Sequence, residues 1–482
     1  VWRGFKGSAP FVLAMMAMMS GCMVGPKYVP PTAPMAKAPD AYKELDPNWK
    51  PATPADMELK GNWWTLFNDP LLNELEAKVA LSNQSLKASE ARFREARAQI
   101  RINRANLYPT IGTAPYAVGE RYAADRPYFS AASANNGEAD LLLPLDLNYE
   151  IDLWGRVRRT INEAKEETQA SAADLATAKL SLESELAIDY FELRSADAQK
   201  KLLADTVTDY REALRITTNR FEGGISAISD VYQAQTQLQA ALVAESEVAV
   251  ARQEYEHAIA VLIGQPPESF SLAEAPLNAQ PPVIPTGLPS ALLERRPDIA
   301  AAERRANEAN ERIGIARAAF FPALSLNAAV GFESTSIKSL FNASNFVYAL
   351  GPSLSQTFFD AGRRAAISEQ AYASFDEASA NFRQTSLDAY QQVEDNLTVL
   401  RVLSQESIQQ HQATIAAQGA QEIFNNRYVG GIDTYLQVVT AQNTALANER
   451  NEIDIMRRRM DSSVLLIKAL GGGWSRTQLP QY

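Results

Sequence analysis

The chain has 482 residues, with 46 Lys and Arg against 57 Asp and Glu, for a formal net charge of −11. That balance argues against nucleic acid as the main partner, because tracking phosphates needs a basic face. One cysteine and two histidines exclude an intrachain disulfide framework and argue against a Cys/His metal centre, so no cofactor is expected.

Residues 1–21 read as a signal peptide. Arg3 and Lys6 precede an apolar run, residues 11–19, that is too short to span a bilayer as a helix. The run ends at Ser20-Gly21-Cys22, small residues before the sole cysteine. This looks like a bacterial lipoprotein processing site, which makes Cys22 the first mature residue and the lipid carrier. The alternative is an ordinary signal peptide with an incidental cysteine. A single acyl chain is only a marginal anchor. Residues 22–68 form a proline-stiffened arm, with Pro26, Pro30, Pro31, Pro34, Pro39, Pro47, Pro51 and Pro54. The arm is expected to lie along the body as far as Trp63, Trp64 and Phe67.

A first structural unit is expected over residues 69–264. Asp69 is placed to cap a helix with Pro70 in its first turn. Ala, Leu, Glu, Arg and Gln then favour one helix from about residue 71 to residue 106, ended by Tyr108-Pro109. Beyond it the period changes from 3.6 to 2. Leu141, Leu143, Leu145, Leu147, Tyr149 and Ile151 alternate with Asp140, Pro144, Asp146, Asn148 and Glu150. Similar alternation covers residues 320–333 and 346–355, and more weakly residues 110–122, where Pro115 intervenes. Aromatic residues gather at the strand ends: Tyr108, Trp154, Phe320, Phe321, Phe358 and Phe359 at one, and Tyr122, Tyr128, Phe129, Phe332 and Phe346 at the other. Girdles of this kind mark the edges of a transmembrane barrel.

After Gly155-Arg156 the chain is helical, with no proline until Pro266. Gly223-Gly224 divides this stretch into a limb of about 60 residues, roughly 90 Å long, and a return limb over residues 230–263. The dividing hexapeptide, Arg220-Phe221-Glu222-Gly223-Gly224-Ile225, recurs as Arg427-Tyr428-Val429-Gly430-Gly431-Ile432, 207 residues later (427 − 220). Gly155-Arg156 and Gly362-Arg363 keep the same offset, as do Ile263-Gly264 and Leu470-Gly471. The chain is therefore an internal two-fold sequence repeat. Its second copy covers residues 293–471, a proline-rich linker 265–292 runs around the outside, and 472–482 form a tail. Val439, Leu446, Ile453, Met460 and Ile467 recur every seven residues as a coiled-coil seam. Small and polar residues on the other faces suit the wall of a water-filled tube.

Four strands cannot close a barrel in lipid, because an open edge leaves backbone groups unpaired. The expected fold is therefore mainly α with a transmembrane β part, shared among several chains and continued by long periplasmic helices. That is a conduit and not an enzyme: His257 and His411 lack catalytic partners, and Gly471-Gly472-Gly473 reads as a helix end. The competing reading is a periplasmic coiled-coil scaffold or adaptor with a soluble β-domain.

The segment Leu293-Glu294-Arg295-Arg296-Pro297-Asp298-Ile299, followed by Ala302-Glu303, Ile313-Gly314, Ala316 and Phe321-Pro322, resembles the repeated signature of the TolC-like outer membrane efflux proteins. Phe359-Asp360-Ala361-Gly362-Arg363 and the double-glycine hexapeptides match as well. Gly21-Cys22-Met23-Val24-Gly25-Pro26 and Trp63-Trp64 are similar to the lipoprotein branch, the OprM/NodT type. The resemblance covers residues 22–471. It implies a homotrimer with a twelve-stranded barrel, four strands per chain, and a periplasmic α-barrel. It also implies the exit duct of a tripartite pump, RND-type or related, with a periplasmic membrane-fusion adaptor, an inner-membrane transporter and outer membrane lipid as partners.

The double glycines by themselves are helix C-caps. The resemblance implies that these turns are the gated inner mouth of the pore, and the candidate tip residues are Arg220, Phe221, Gly223, Gly224, Ser229, Asp230, Arg427, Tyr428, Gly430, Gly431 and Asp433. Ser229-Asp230 matches an acceptor pair and Tyr428 a tip aromatic that can bond to it. Arg220 and Arg427 are local partners for carboxylates or helix-end carbonyls. Where many relatives carry an acidic residue before Ala-Gln, this chain has Thr440, with Gln233 in the first copy. Asp433 is the substitute for the constriction, or else an N-cap of the returning helix. Asp140, Asp146, Glu150 and Asp152 share one strand face and would make a cation-favouring lumen stripe.

Overall fold

The computed structural model describes residues 23–32, 42–44, 61–121, 123, 137–277, 280–284 and 292–482. Residues 1–21, Cys22, Tyr122, Tyr128, Phe129 and most of the arm prolines lie outside the described residues.

The expected first helix is two. α1 (Pro70–Ser82) starts where the Asp69 carboxylate accepts from the backbone N–H of Leu71 at 2.9 Å and Leu72 at 3.1 Å. α2 (Gln84–Ala105) restarts at Asn83, whose side-chain oxygen accepts from Leu86 N–H at 2.9 Å. The Asn83 amide donates to the Leu262 carbonyl at 2.8 Å. A side chain that caps the next helix competes with helix continuation, which helix propensity summed over the segment does not register. The chain continues through β1 (Thr110–Gly112), β2 (Tyr116–Glu120), β3 (Glu138–Ile151), α3 (Arg156–Glu222) and α4 (Ile228–Leu262). The second half holds α5 (Leu292–Arg295), α6 (Pro297–Ala318), β4 (Ala323–Ser334), β5 (Phe346–Ser355), α7 (Arg363–Val429) and α8 (Tyr435–Ala469). The long limbs α3 and α7 each have 67 residues and the return limbs α4 and α8 each have 35. At the α-helical rise each long limb spans about 100 Å.

The strands form one antiparallel sheet in which β1 and β2 pair successive parts of β3, followed by β4 and β5. The weak strand is thus split around Pro115, which has no N–H to give to the ladder. Register sorts the faces. Leu143, Phe332 and Phe346 stand in one row, Leu145, Val330 and Tyr348 in the next, and Ile151, Leu324 and Leu354 in another. The opposite face carries Asp146, Ala329 and Ala349, then Asn148, Asn327 and Gly351. Tyr348 is 78% exposed, Leu350 72% and Leu354 67%, so the apolar face has no cover among the described residues. Among the described residues β5 and the β1/β2 side are free edges. At one end Trp154 stacks on Phe321 at 4.6 Å and donates from Nε1 to the Pro322 carbonyl at 2.8 Å. At the other, Phe332 packs edge-on against Phe341 and Phe346.

The main core lies midway along the helices. Trp63, Trp64 and Phe67 join Leu72, Leu75, Leu186, Phe191, Met460 and Ile467. Of the heptad seam, Val439, Met460 and Ile467 are buried, while Leu446 and Ile453 are half-buried. The linker is more than an outer belt, because Leu272 and Ile284 are buried in this core. An ionic cluster pins it: Asp197 accepts from Arg252 at 2.6 Å, from Arg194 at 3.0 Å and from the Ala275 N–H at 3.0 Å. Arg252 also donates to the Leu272 carbonyl at 2.7 Å. The described part of the arm follows the body. Val24 N–H donates to the Trp154 carbonyl at 3.1 Å, Arg159 to the Pro26 carbonyl at 3.3 Å, and Lys43 N–H to Glu394 at 2.8 Å.

Candidate functional site

Both long limbs end in the same hydrogen-bonded turn. Ile225 N–H donates to the Arg220 carbonyl at 2.8 Å and Gly224 N–H to the Phe221 carbonyl at 2.9 Å. Ile432 to Arg427 at 2.9 Å and Gly431 to Tyr428 at 3.0 Å repeat the pattern. This is the double closure of a left-handed helix cap, and it demands a positive φ at its fifth position. Gly224 has φ 71° and Gly431 φ 75°. Backbone geometry therefore accounts for the second glycine of each pair.

The side chains of the two turns differ. Arg220 leaves its own turn and lies over the Tyr428 ring, with its guanidinium carbon 4.8 Å from the centroid. Its Nη1 donates to the Val429 carbonyl at 3.0 Å. One cation thus meets an aromatic face and a helix-end carbonyl of the other turn, where the helix dipole is negative. Arg427 stays at home and pairs through Nε with Asp433. Arg220 is therefore a partner for a helix-end carbonyl and Arg427 for a carboxylate. Asp433 does not cap α8: Thr434 holds that position, with no side-chain cap. The Arg427 guanidinium, six residues back, takes the carboxylate instead.

Tyr428 is buried at 4% exposure, against Tyr435 (ring centroids 5.2 Å apart), Ala234 and Val438. Its hydroxyl has no partner among the described residues. Within one chain, then, Tyr428 does not bond to Ser229 or Asp230. Ser229 Oγ donates to Asp230 at 3.4 Å, and Asp230 sits in the first turn of α4, where a carboxylate suits the helix dipole. Burial, followed by the neighbouring Tyr428 and Tyr210, pushes the Tyr435 hydroxyl up to about 12. Phe221 is 40% exposed, and Ile225 and Ile432 69% each. Gln233 lines a groove of about 490 Å³ with Ser229, Tyr232, Thr236, Leu436 and Val439. Thr440 turns its hydroxyl back to the Leu436 carbonyl at 2.9 Å, so the position is uncharged.

The acidic stripe on β3 does not survive as four free carboxylates. Glu150 pairs with Arg156, with Nε at 2.9 Å. Asp152 accepts from the N–H groups of Val157 and Arg158 at 3.1 and 3.0 Å and from Arg158 Nε at 3.1 Å. The reason is the tight turn at Gly155 (φ 80°), which brings the first helical arginines back under the strand end. Asp140 accepts from the Tyr116 hydroxyl at 3.0 Å.

A family model described as outer membrane efflux protein matches residues 77–265 and again residues 288–472. The toluene efflux pump outer membrane protein TtgF of Pseudomonas putida is 30% identical over 467 residues, 96% of each chain. The pyoverdine export outer membrane protein OpmQ of Pseudomonas aeruginosa is 31% identical over 420 residues, 86% of this chain and 87% of that one. The open state of the Neisseria gonorrhoeae MtrE outer membrane channel superposes with a TM-score of 0.82 at 27% identity, covering 94% of this chain and 99% of that structure.

Proposed function

Because this chain belongs to the outer membrane efflux protein family, we propose that three copies close one barrel and form the exit duct of a tripartite efflux pump. The chain is an outer membrane efflux channel with a TolC-like fold. One observation supports several copies sharing one barrel: among the described residues, a sheet with two free edges and an uncovered apolar face runs directly into helices about 100 Å long. In lipid such edges must be paired, and copies of the same sheet are the available partners. The scaffold or adaptor alternative is set aside, since relatives matching over nearly the whole chain are named as efflux pump outer membrane proteins.

The helical part extends into the periplasm and meets the adaptor and inner-membrane transporter at the tips. TtgF, a toluene efflux pump component, and OpmQ, a pyoverdine export component, support this reading. Cys22 carries the lipid. In support, Val24 is bonded to Trp154 and Met23 lies against Gly155, at the aromatic end of the sheet where it joins the helices. The chain then divides as a signal peptide, an anchored arm, two repeats joined by the linker, and a tail. The turns around Arg220, Phe221, Gly223, Gly224, Ser229, Asp230, Arg427, Tyr428, Gly430, Gly431 and Asp433 are the gate.

The test is fractionation and conductance. The product should enter outer membranes, resist SDS until heated and conduct ions in a planar bilayer. A monomeric product, soluble without its lipid, would sink the reading. For the gate, Asp230→Ala and Tyr428→Phe should raise resting conductance; if both stay as closed as the parent, the tip assignment is wrong.

A further inference from the structure

Between α3, α7 and α8, about one to four helical turns short of the tips, lies a groove of about 380 Å³. Asp209 and Glu212 reach it from α3, Glu422 from α7 and Glu449 from α8. Glu212 is neutralised by Arg215. Glu449 accepts from the Gln418 amide, which leaves its charge in place. Asp209, Glu422 and Glu449 have no basic partner among the described residues.

Two buried polar groups accompany them. Gln442 lines the groove, is only 6% exposed, and its amide oxygen has no partner among the described residues. The Tyr210 hydroxyl, on a residue 4% exposed, is likewise unpartnered and lies in the field of both Asp209 and Glu449. An unpaired buried acceptor is costly and asks for a donor.

The acceptors fall into two groups along the groove. Asp209 and Glu449 lie at comparable distances from their turns, thirteen and fourteen residues from the helix ends at Glu222 and Tyr435. Glu422 and Gln442 each lie seven residues from the ends at Val429 and Tyr435. At the helical rise the two levels are about 10 Å apart. Ala213 supplies an apolar wall between them, and Ile216 one beside the level nearer the tip. Among the described residues no three acidic or histidine side chains converge as metal ligands. The spread suits a long cation with a charge at each end.

We propose that this groove binds a linear organic polycation of the polyamine class. One terminal ammonium donates to Asp209 and Glu449, and the other to Glu422 and the Gln442 oxygen. The methylene chain rests on Ala213 and Ile216. The bound cation ties the first repeat, through α3, to the second, through α7 and α8.

The test is calorimetric titration of the purified, full-length detergent-solubilised protein with spermidine at fixed ionic strength. Saturable binding is expected. It should weaken by at least about tenfold in the Glu422→Gln/Glu449→Gln double variant, because each substitution removes a charge-assisted hydrogen bond. Gln442→Leu should weaken it as well, and 1,4-diaminobutane, too short to bridge the two levels, should bind less tightly than 1,8-diaminooctane, a dication of equal charge and about the length of spermidine; equal affinity of the two dications overturns the two-level placement. Absence of saturable spermidine binding to the parent overturns the proposal. So does equal affinity in the double variant, or equal displacement by magnesium ions at matched charge, which would mean general screening.

Discussion

Glu76 offers the sharpest test of the packing argument. It is fully buried on α1, in the field of Glu183, and neither carboxylate oxygen has a partner among the described residues. Burial first, and then the neighbouring Glu183, pushes its carboxyl up to about 10 from 4.5. The unfolded chain ionises this group near 4.5 while the folded chain keeps it protonated. Its contribution to stability is therefore complete below that value and is lost as pH rises towards 10, at about 1.4 kcal/mol per pH unit. At neutral pH the accumulated loss is about 3 kcal/mol per chain. Glu76→Gln removes the ionisation and keeps the shape, so it should stabilise the protein by about that amount at pH 7 and by under ~1 kcal/mol at pH 5. Guanidinium unfolding of parent and variant across this range is the assay. The window above neutral pH is the cleanest, because Glu183 itself is pushed up only to about 7, by burial. There the parent should lose stability about 1.4 kcal/mol per unit faster than the variant. Parallel pH profiles for the two proteins would refute the reasoning.

Three further outcomes follow from the geometry. Arg220→Met keeps an aliphatic stem but loses the contact with the Tyr428 ring and the bond to the Val429 carbonyl, a loss of about 1–2 kcal/mol. Faster proteolytic cleavage at the turns should report it, and an unchanged cleavage rate counts against the link. Gly431→Ala forces a side chain into φ 75° and should cost about 1–2 kcal/mol, whereas Gly430→Ala, at φ −72°, should cost far less; midpoints of heat dissociation compare the two. Asp197→Asn leaves Arg194 and Arg252, each about 5% exposed, short of their shared carboxylate, at a cost of about 3–5 kcal/mol. Limited proteolysis should then find the linker near Leu272, and equal resistance to the parent would show that Asp197 does not hold the linker, leaving Glu256 and packing to do so.

The duplication, the strands and the double-glycine turns were legible in the amino-acid order, because each depends on local chemistry or a short period. A left-handed cap needs glycine wherever it occurs, as at Gly224 and Gly431. A lipid-facing strand needs alternation whatever its neighbours, as in Leu143, Leu145 and Leu147 beside Pro144 and Asp146. The resemblance in residues 293–322 reached further, to the family that the comparisons bear out. Asn83 divides the two levels: its cap on the Leu86 N–H is local, while the bond that fixes its amide, to the Leu262 carbonyl, spans 179 residues. Tertiary structure alone decided how charges pair across repeats. Arg220 and Arg427 hold equivalent places in the two copies, yet one reaches Tyr428 and Val429 while the other closes on Asp433. The copies differ at the partner positions, and a side chain's partner is set by what packing brings within a few ångströms, which sequence separation does not encode.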